Sequence, residues 1–444
     1  MLKKNDHIQA QCIGYTNDGH GVVKIDGFPL FVKGMLEKEE GELVVTLMKK
    51  SYGYARLLKL MKQSEHRVEP ICPVAKTCGG CQLQHMSYAE SLRFKKQKVQ
   101  DVITRIAKLP LQVEDVLGME HYTHYRNKGQ IPVGMKQDEV VTGFYRINSH
   151  DIIDINSCSI QSERINEVLQ VMKRLLKKYH NADVFRHILI KDGFHTKEVM
   201  VVWIVRKMKF AHRQEMMEEL VKALPYIKSV VVNVNTRDDN VILGEKEEVI
   251  YGNGYITDRL QDFHFRISSK SFYQVNPVQT EVLYGKALEF CQLTGNETVL
   301  DLYCGVGTIS LFLAKQAKHV VGIEIVEQAV KNASENAQAN GIHNISFVCS
   351  DAASYAAKLS KEGVRPDVIV VDPPRKGCDQ VTIDSIVQMG PQRVVYVSCD
   401  PATLARDLHK FHEKGYHCLK VQPVDMFPFS HHVENVVLME RSIY

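Results

Sequence analysis

The residues with the clearest chemical potential lie in the last third of this 444-residue chain. Cys399 follows the apolar run Val394-Val395-Tyr396-Val397 within Ser398-Cys399-Asp400-Pro401. That is a strand-to-helix turn, where the positive end of a helix favours thiolate. Glu434 enters a last apolar run behind Phe427-Pro428-Phe429-Ser430-His431-His432-Val433 and can reach the same sheet edge. A cysteine at a strand end is usually an inert packing residue, but the turn of Cys399 lies on the edge where such sheets bind ligands. A thiolate and a carboxylate beside a methyl donor suit a carbon that becomes nucleophilic only after a neighbouring atom is attacked. Pyrimidine C5 is such a carbon. Thiolate addition at C6 makes an enolate that takes the methyl group at C5, and a base then removes the C5 proton so that the thiolate leaves.

The methyl donor is read from other strand ends. Thr298–Leu302 runs into Tyr303-Cys304-Gly305-Val306-Gly307-Thr308, whose glycines permit a tight turn and close approach to a ligand. The next strand ends at Glu324, nineteen residues after Gly305, placing a carboxylate for ribose hydroxyls. The third ends at Asp351, a natural partner for an adenine amino group. Each signal alone is weak, and strand-end acids also serve as helix caps; the combination is stronger. A dinucleotide calls for a third glycine near Ser310, which is absent, so S-adenosylmethionine is expected over NAD. The fourth strand ends in Asp372-Pro373-Pro374-Arg375-Lys376-Gly377. Its prolines stiffen the exit and hold Asp372 toward the cofactor. Arg375 stands where an aromatic would stack on adenine, which argues against amine methylation.

A separate cluster, Cys72-Pro73-Val74-Ala75-Lys76-Thr77-Cys78-Gly79-Gly80-Cys81, sets three thiols in ten residues. A tetrahedral set needs a fourth, and Cys158 is the only other cysteine of the middle region. Zinc and a [4Fe–4S] cluster both accept four thiolates, so spacing alone leaves them evenly matched. Cys12, Cys291, Cys304, Cys349, Cys378 and Cys418 are expected to be packing residues.

The elements that must position these groups fall into three stretches. Residues 1–62 are short alternating apolar runs between glycine-bearing turns, Ile8–Ile13, Val22–Ile25, Pro29–Val32, Glu42–Met48 and Tyr54–Leu60, which predict a small β-barrel. Residues 63–268 form a mixed region with a charged helix expected from Tyr88 to Ile106. Within it, Val171–Arg213 holds eleven Lys/Arg against three acids, a local basic field suited either to phosphates or to a solvated face. Residues 269–444 alternate strands with helices, predicting a doubly wound, mostly parallel sheet. The strands expected there are Thr298–Leu302, His319–Ile325, Ile345–Cys349, Asp367–Val371, Arg393–Val397 and Val433–Met439. Hydrophobic content of 44% and charged content of 24% mark a globular chain, and its net charge of +4 does not announce nucleic acid. No apolar run reaches the ~20 residues that span a bilayer, and the first residues carry no apolar signal segment. With eleven cysteines, an odd number, and no export signal, a cytoplasmic protein without membrane contact is expected.

Several strings together resemble the RNA uracil-5-methyltransferases, in particular those acting on large-subunit ribosomal RNA. They are Phe272-Tyr273-Gln274-Val275-Asn276, Asp301 to Thr308, Asp372 to Gly377, Ser398 to Asp407, and His432-Val433-Glu434. The likeness extends over essentially the whole chain. It implies an α/β fold: a Rossmann-like S-adenosylmethionine-dependent methyltransferase domain, an N-terminal TRAM-like β-barrel that binds RNA, and an α+β iron–sulfur-bearing central domain. It implies Cys399 as nucleophile and Glu434 as base, with Gln274, Tyr303, Thr308, Glu324, Asp351 and Asp372 lining the cofactor and target-base site. Cys72, Cys78, Cys81 and Cys158 would hold a [4Fe–4S] cluster, which ribosomal-RNA members carry and tRNA relatives generally lack. The expected partner is 23S rRNA, bound by a monomer that makes 5-methyluridine. The alternatives are a tRNA uracil-5-methyltransferase and a non-catalytic RNA-binding iron–sulfur protein. The family often has Asn where this chain has Asp400, and a negative charge there would raise the Cys399 thiol pKa.

Overall fold

The computed structural model describes residues 2–442. The strands His7–Tyr15, Gly21–Ile25, Phe28–Val32, Glu40–Met48 and Gly53–Lys62 close into a barrel. All five runs read from the sequence are present. Alternation sends Cys12, Val23, Leu30, Leu43 and Val45 inward, where each is at most 1% exposed. The barrel rests on the helix Tyr88–Val102 through a joint cluster of Leu36, Leu83, Met86 and Phe94. Fully buried Glu39 accepts from the Leu36 amide at 2.8 Å and from two nitrogens of Arg67, so its charge is paired as burial demands.

The central region is built on seven strands in the order Lys246–Gly252, Ile227–Val234, Val199–Val205, Phe185–Asp192, Lys128–Lys136, Glu139–Tyr145 and Ile152–Asp154. The run Val199–Val205 is apolar at every position because both its faces are covered. Val201, Trp203 and Val205 pack with Leu169 and Met172 of the helix Glu163–Lys178. Met200, Val202 and Ile204 pack with Phe263 and Phe265 of the hairpin Tyr255–Leu260/Phe263–Ser268 and with Leu283 beyond it.

The C-terminal sheet has the order Ile345–Cys349, His319–Glu324, Thr298–Leu302, Val368–Val371, Arg393–Ser398, Glu434–Arg441, Tyr416–Val424. The first five strands are parallel, and Glu434–Arg441 is inserted antiparallel between Arg393–Ser398 and Tyr416–Val424. The doubly wound expectation holds, with three additions: the edge strand Tyr416–Val424 and the helices Pro277–Cys291 and Ala352–Lys361. The helix expected from Tyr88 to Ile106 ends at Val102 and continues as a π turn, Ile103–Ala107. Val99, Val102 and Ile103 pack in one core with Leu300 and Tyr396 of the C-terminal sheet and Leu404 of the helix Pro401–Glu413, so this part of residues 63–268 is packed on the neighbouring domain. Among the described residues, no helix is long and apolar enough to cross a membrane.

Candidate active site

Cys399 and Glu434 are brought level by strand register. Ser398 pairs with Asn435 across the antiparallel ladder, so the residue after one strand faces the residue that opens the other. Both line a cavity of about 1150 Å³ between the C-terminal sheet and the central region. Burial, then the negative charges of Glu434 and Asp372, push the Cys399 thiol up to about 11, with Arg375 opposing. Glu434 is 5% exposed. Burial and then Asp372 push its carboxyl up to about 8, again against Arg375. Asp372 is pushed up to about 7 by burial and by Asp301. Three acids at one strand edge thus compete for few charges, the arrangement expected where protons are to be moved.

Asp400 corrects an expectation. Its carboxylate caps the helix Pro401–Glu413, accepting from the Ala402 and Thr403 amides at 3.0 and 2.9 Å. The negative charges that raise the thiol pKa are those of Glu434 and Asp372. The same helix fixes the Asp372–Cys378 loop. Thr403 donates to the Arg375 carbonyl at 3.0 Å, and Asp407 accepts from the Cys378 amide and the Tyr396 hydroxyl, both at 2.8 Å. Gly377, at φ +75°, passes so close that a Cβ would lie 2.4 Å from Asp407, so no larger residue fits.

The approach to Glu434, residues 425–433, is tied down from the opposite side. Buried Lys95 pairs with buried Asp425 and donates to the Phe427 carbonyl at 3.0 Å. Lys98 donates to His431 O at 2.8 Å and Tyr125 to Pro428 O at 3.1 Å. The Gln82 and Leu83 amides both reach Phe429 O at 2.9 Å.

In the other half of the cavity, Gln274, Tyr303, Glu324, Asp351 and Asp372 line the wall. Glu324 accepts from the Gly305 amide at 3.1 Å through one oxygen and from the Val326 amide at 2.9 Å through the other. Asp351 spends one oxygen capping the helix Ala352–Lys361 and on the Ser354 hydroxyl. Tyr303 holds φ +74°, a strained conformation for a bulky residue, at the head of the glycine turn. Thr308 is not a wall residue: it hydrogen-bonds Tyr284 at 3.2 Å, behind Gln274. Phe272 carries no role in the sequence reading beyond its motif, yet it is 67% exposed at the cavity wall. Arg126 and Lys270 from the seam with the central region line the same space.

The thiols of Cys72, Cys78, Cys81 and Cys158 share one corner. Burial pushes the Cys81 thiol up to about 12, and the other three cysteines add to it. Among the described residues, no three His, Cys, Asp or Glu side chains form a group that could hold a metal ion. The corner borders the cavity: Gly79, Gly80 and Gln82 line it, and Cys81 and Cys158 pack with Tyr125, Ile160 and Phe429. Five of the eleven basic residues of the central run are paired with acids. Lys173 pairs with Asp154, Lys177 with Glu139, Lys178 with Glu219, Arg206 with Asp238 and Arg213 with Glu248. Sequence counting misses this because all five acids lie outside the run.

The comparisons agree with this geometry. A family model described as tRNA (uracil-5-)-methyltransferase matches residues 87–442. The chain is 47% identical to an uncharacterised RNA methyltransferase of Halalkalibacterium halodurans, over 99% of this chain and 98% of that one. It is 46% identical to another from Caldanaerobacter subterraneus, over 99% of each chain. The crystal structure of a tRNA (uracil-54, C5)-methyltransferase from Pyrococcus abyssi, in complex with S-adenosyl-L-homocysteine, is similar with a TM-score of 0.76 and 26% identity. That likeness covers 97% of this chain and 99% of the other. The matched segment contains the whole C-terminal sheet with the Cys399–Glu434 register, and the relatives match from end to end: the chain belongs to the tRNA (uracil-5-)-methyltransferase family.

Proposed function

We propose that the protein transfers a methyl group from S-adenosylmethionine to C5 of a uridine in 23S rRNA. The observation that carries the chemistry is the level placement of Cys399 and Glu434 on one cavity wall. The opposite half fits the cofactor by its donor set. Glu324 keeps lone pairs for ribose hydroxyls, Asp351 keeps one carboxylate oxygen for the adenine amine, and Val326, 53% exposed, offers an apolar face to the ring. When bound, S-adenosylmethionine supplies an electrophilic methyl group and a positive charge.

A target base in folded RNA must leave its stack to reach Cys399. Phe272, exposed at the wall, offers a ring for it to stack on, worth about 1–3 kcal/mol. The Cys399 thiolate adds to C6 and the electron pair moves onto the ring as an enolate. C5 then takes the methyl group. Glu434, ionised, accepts the C5 proton; the electrons of that C–H bond re-form the C5–C6 double bond and expel the thiolate, restoring Cys399. With the carboxyl pushed up to about 8 and the thiol to about 11, both groups of the free enzyme are mainly protonated at neutral pH. A nearby positive charge favours the ionised form of each.

The reading of 23S rRNA as substrate rests on the cysteine corner. Cys72, Cys78, Cys81 and Cys158 bring to one corner the number of thiols a [4Fe–4S] cluster takes, although among the described residues they are not drawn together as a ligand set. Such a cluster would be structural there, bracing the wall beneath Phe429. A tRNA substrate is the second reading, favoured by the likeness to the Pyrococcus abyssi enzyme. The test is transfer of labelled methyl groups to unmodified 23S rRNA and to unmodified tRNA side by side. With Glu434→Gln, addition and methyl transfer should proceed but elimination stall, leaving a denaturation-resistant protein–RNA adduct. Cys399→Ala should give neither product nor adduct, and 5-fluorouridine RNA should trap the unaltered enzyme. An adduct through another cysteine, or label in tRNA alone, would overturn the respective part.

A further inference from the structure

The segment 269–275, which leaves the hairpin strand Phe263–Ser268 and carries Phe272 and Gln274 to the cavity, is in no strand and is suspended from the central region. Lys191, in the strand Phe185–Asp192, is 5% exposed. Its ammonium donates to the Ser268 carbonyl and to the Ser271 carbonyl, both at 2.7 Å. The two serines face each other across the turn, hydroxyl to hydroxyl at 2.8 Å. Asn127 holds the far end, its side chain donating to Gln274 O at 3.0 Å and its amide to Val275 O at 2.9 Å. Ser269 donates to Glu247 at 2.8 Å and Lys270 to Glu245 O at 3.1 Å.

We propose that Lys191 is a positioning residue for the target base: by gathering the Ser268 and Ser271 carbonyls onto one ammonium it fixes the turn that presents Phe272. This rests on the RNA-methylating reading above. An ammonium at this depth is an expensive way to hold a fold together. Lys95, the other deeply buried lysine, has the Asp425 carboxylate against it. Lys191 forms no ion pair among the described residues, and burial with the neighbouring charge of Lys128 outweighs the help of Glu247, pushing it down to about 7. What offsets that cost is the pair of carbonyls, which a Met of similar length would leave without donors. Glu324 and Asp351 hang from other strand ends, and Gln274 is held from its own side by Asn127, so the effect of Lys191 falls on Phe272.

The experiment is Lys191→Met, with Lys191→Arg as the variant that keeps a charged donor. S-adenosylhomocysteine affinity and the unfolding midpoint report on the fold; KM and kcat for unmodified 23S rRNA report on the base site. Lys191→Met should raise KM for RNA at least tenfold while kcat falls less and S-adenosylhomocysteine binding shifts less than twofold; Lys191→Arg should recover part of KM. Independently of activity, each variant is placed on a Phe272→Trp background, where the single native tryptophan, Trp203, is fully buried and gives a constant signal. Tryptophan anisotropy and acrylamide quenching should show the residue at 272 loosened by Lys191→Met. Unchanged mobility at 272 overturns the proposal, as does a parallel loss of cofactor binding and stability. Loosening at 272 in a protein that methylates no RNA would overturn the functional reading and leave the clamp standing.

Discussion

Glu434 is placed where an ionised carboxylate is unwelcome, and replacing it by Gln should therefore stabilise the protein in a pH-dependent way. Its carboxyl is raised from an ordinary 4.5 to about 8 by burial and by Asp372. Below pH 4.5 the group is protonated in both folded and unfolded chains and carries no cost. Between 4.5 and 8 the unfolded chain releases the proton while the folded one keeps it, so stability falls with rising pH, and above 8 the loss is constant. At 1.36 kcal/mol per pH unit the cost reaches about 3 kcal/mol at pH 7 and about 5 kcal/mol above pH 8. Glutamine cannot ionise, and removing the carboxylate also eases the neighbouring Asp372 and Cys399. Urea unfolding of the unaltered and Glu434→Gln proteins, without cofactor or RNA, at steps from pH 5 to 9 gives the measurement. The variant should gain little at pH 5 and increasingly more to about pH 8, then level off. A difference independent of pH, or a variant less stable at pH 9 than its parent, would show that Glu434 is not held against a burial cost.

Anaerobically purified protein should be brown and contain about four iron atoms per chain, the complement of four-cysteine ligation; stoichiometric zinc without iron would remove the cluster, and Cys158→Ser should weaken RNA binding more than cofactor binding. Charge removal at Lys173, Lys177 and Lys178, each paired with an acid, should leave the salt dependence of RNA binding unchanged, whereas removal at Arg126 or Lys270 should reduce the slope by about one each. Thiol titration should find Cys399 nearer its ordinary value of 9 in Glu434→Gln than in Asp372→Asn, since Glu434 is the larger of the two charges raising it.

Strand runs were readable wherever burial sets a strict period or covers both faces, as in the barrel and in Val199–Val205. Tyr416–Val424 escaped because it is an edge strand, with His417, Leu419 and Lys420 in solvent and Pro423 inside it. The helix Pro277–Cys291 carries a legible start, Asn276 capping and Pro277 at the first turn, but no regular apolar period follows it to mark a helix face. At the site, residues at strand ends were legible because topology sends such ends to one edge: Cys399, Glu434, Glu324, Asp351 and Asp372 all reach the cavity wall. Thr308 did not follow, since it sits one step past the turn and faces Tyr284. Phe272 and Lys191 were invisible for a different reason. Their roles depend on a seam between two sheets, and no local pattern records which side chains meet there.

The antiparallel strand that carries Glu434 makes its pairing with Cys399 a question of parity. The connection through residues 425–433 is a loop, and lengthening it would change how the chain arrives but not which residues face each other. Within Glu434–Arg441 the rule is stricter, because side chains alternate between faces. A single-residue insertion or deletion there would put the residues on its two sides out of phase, so that either the carboxylate or the apolar residues beyond turn to the far side of the sheet, while a change of two would restore the face and displace Glu434 by one pleat. Lineages descended from such a chain should therefore tolerate length variation before the strand and almost none inside it, and a designer moving the base can choose only among positions of one colour on this ribbon.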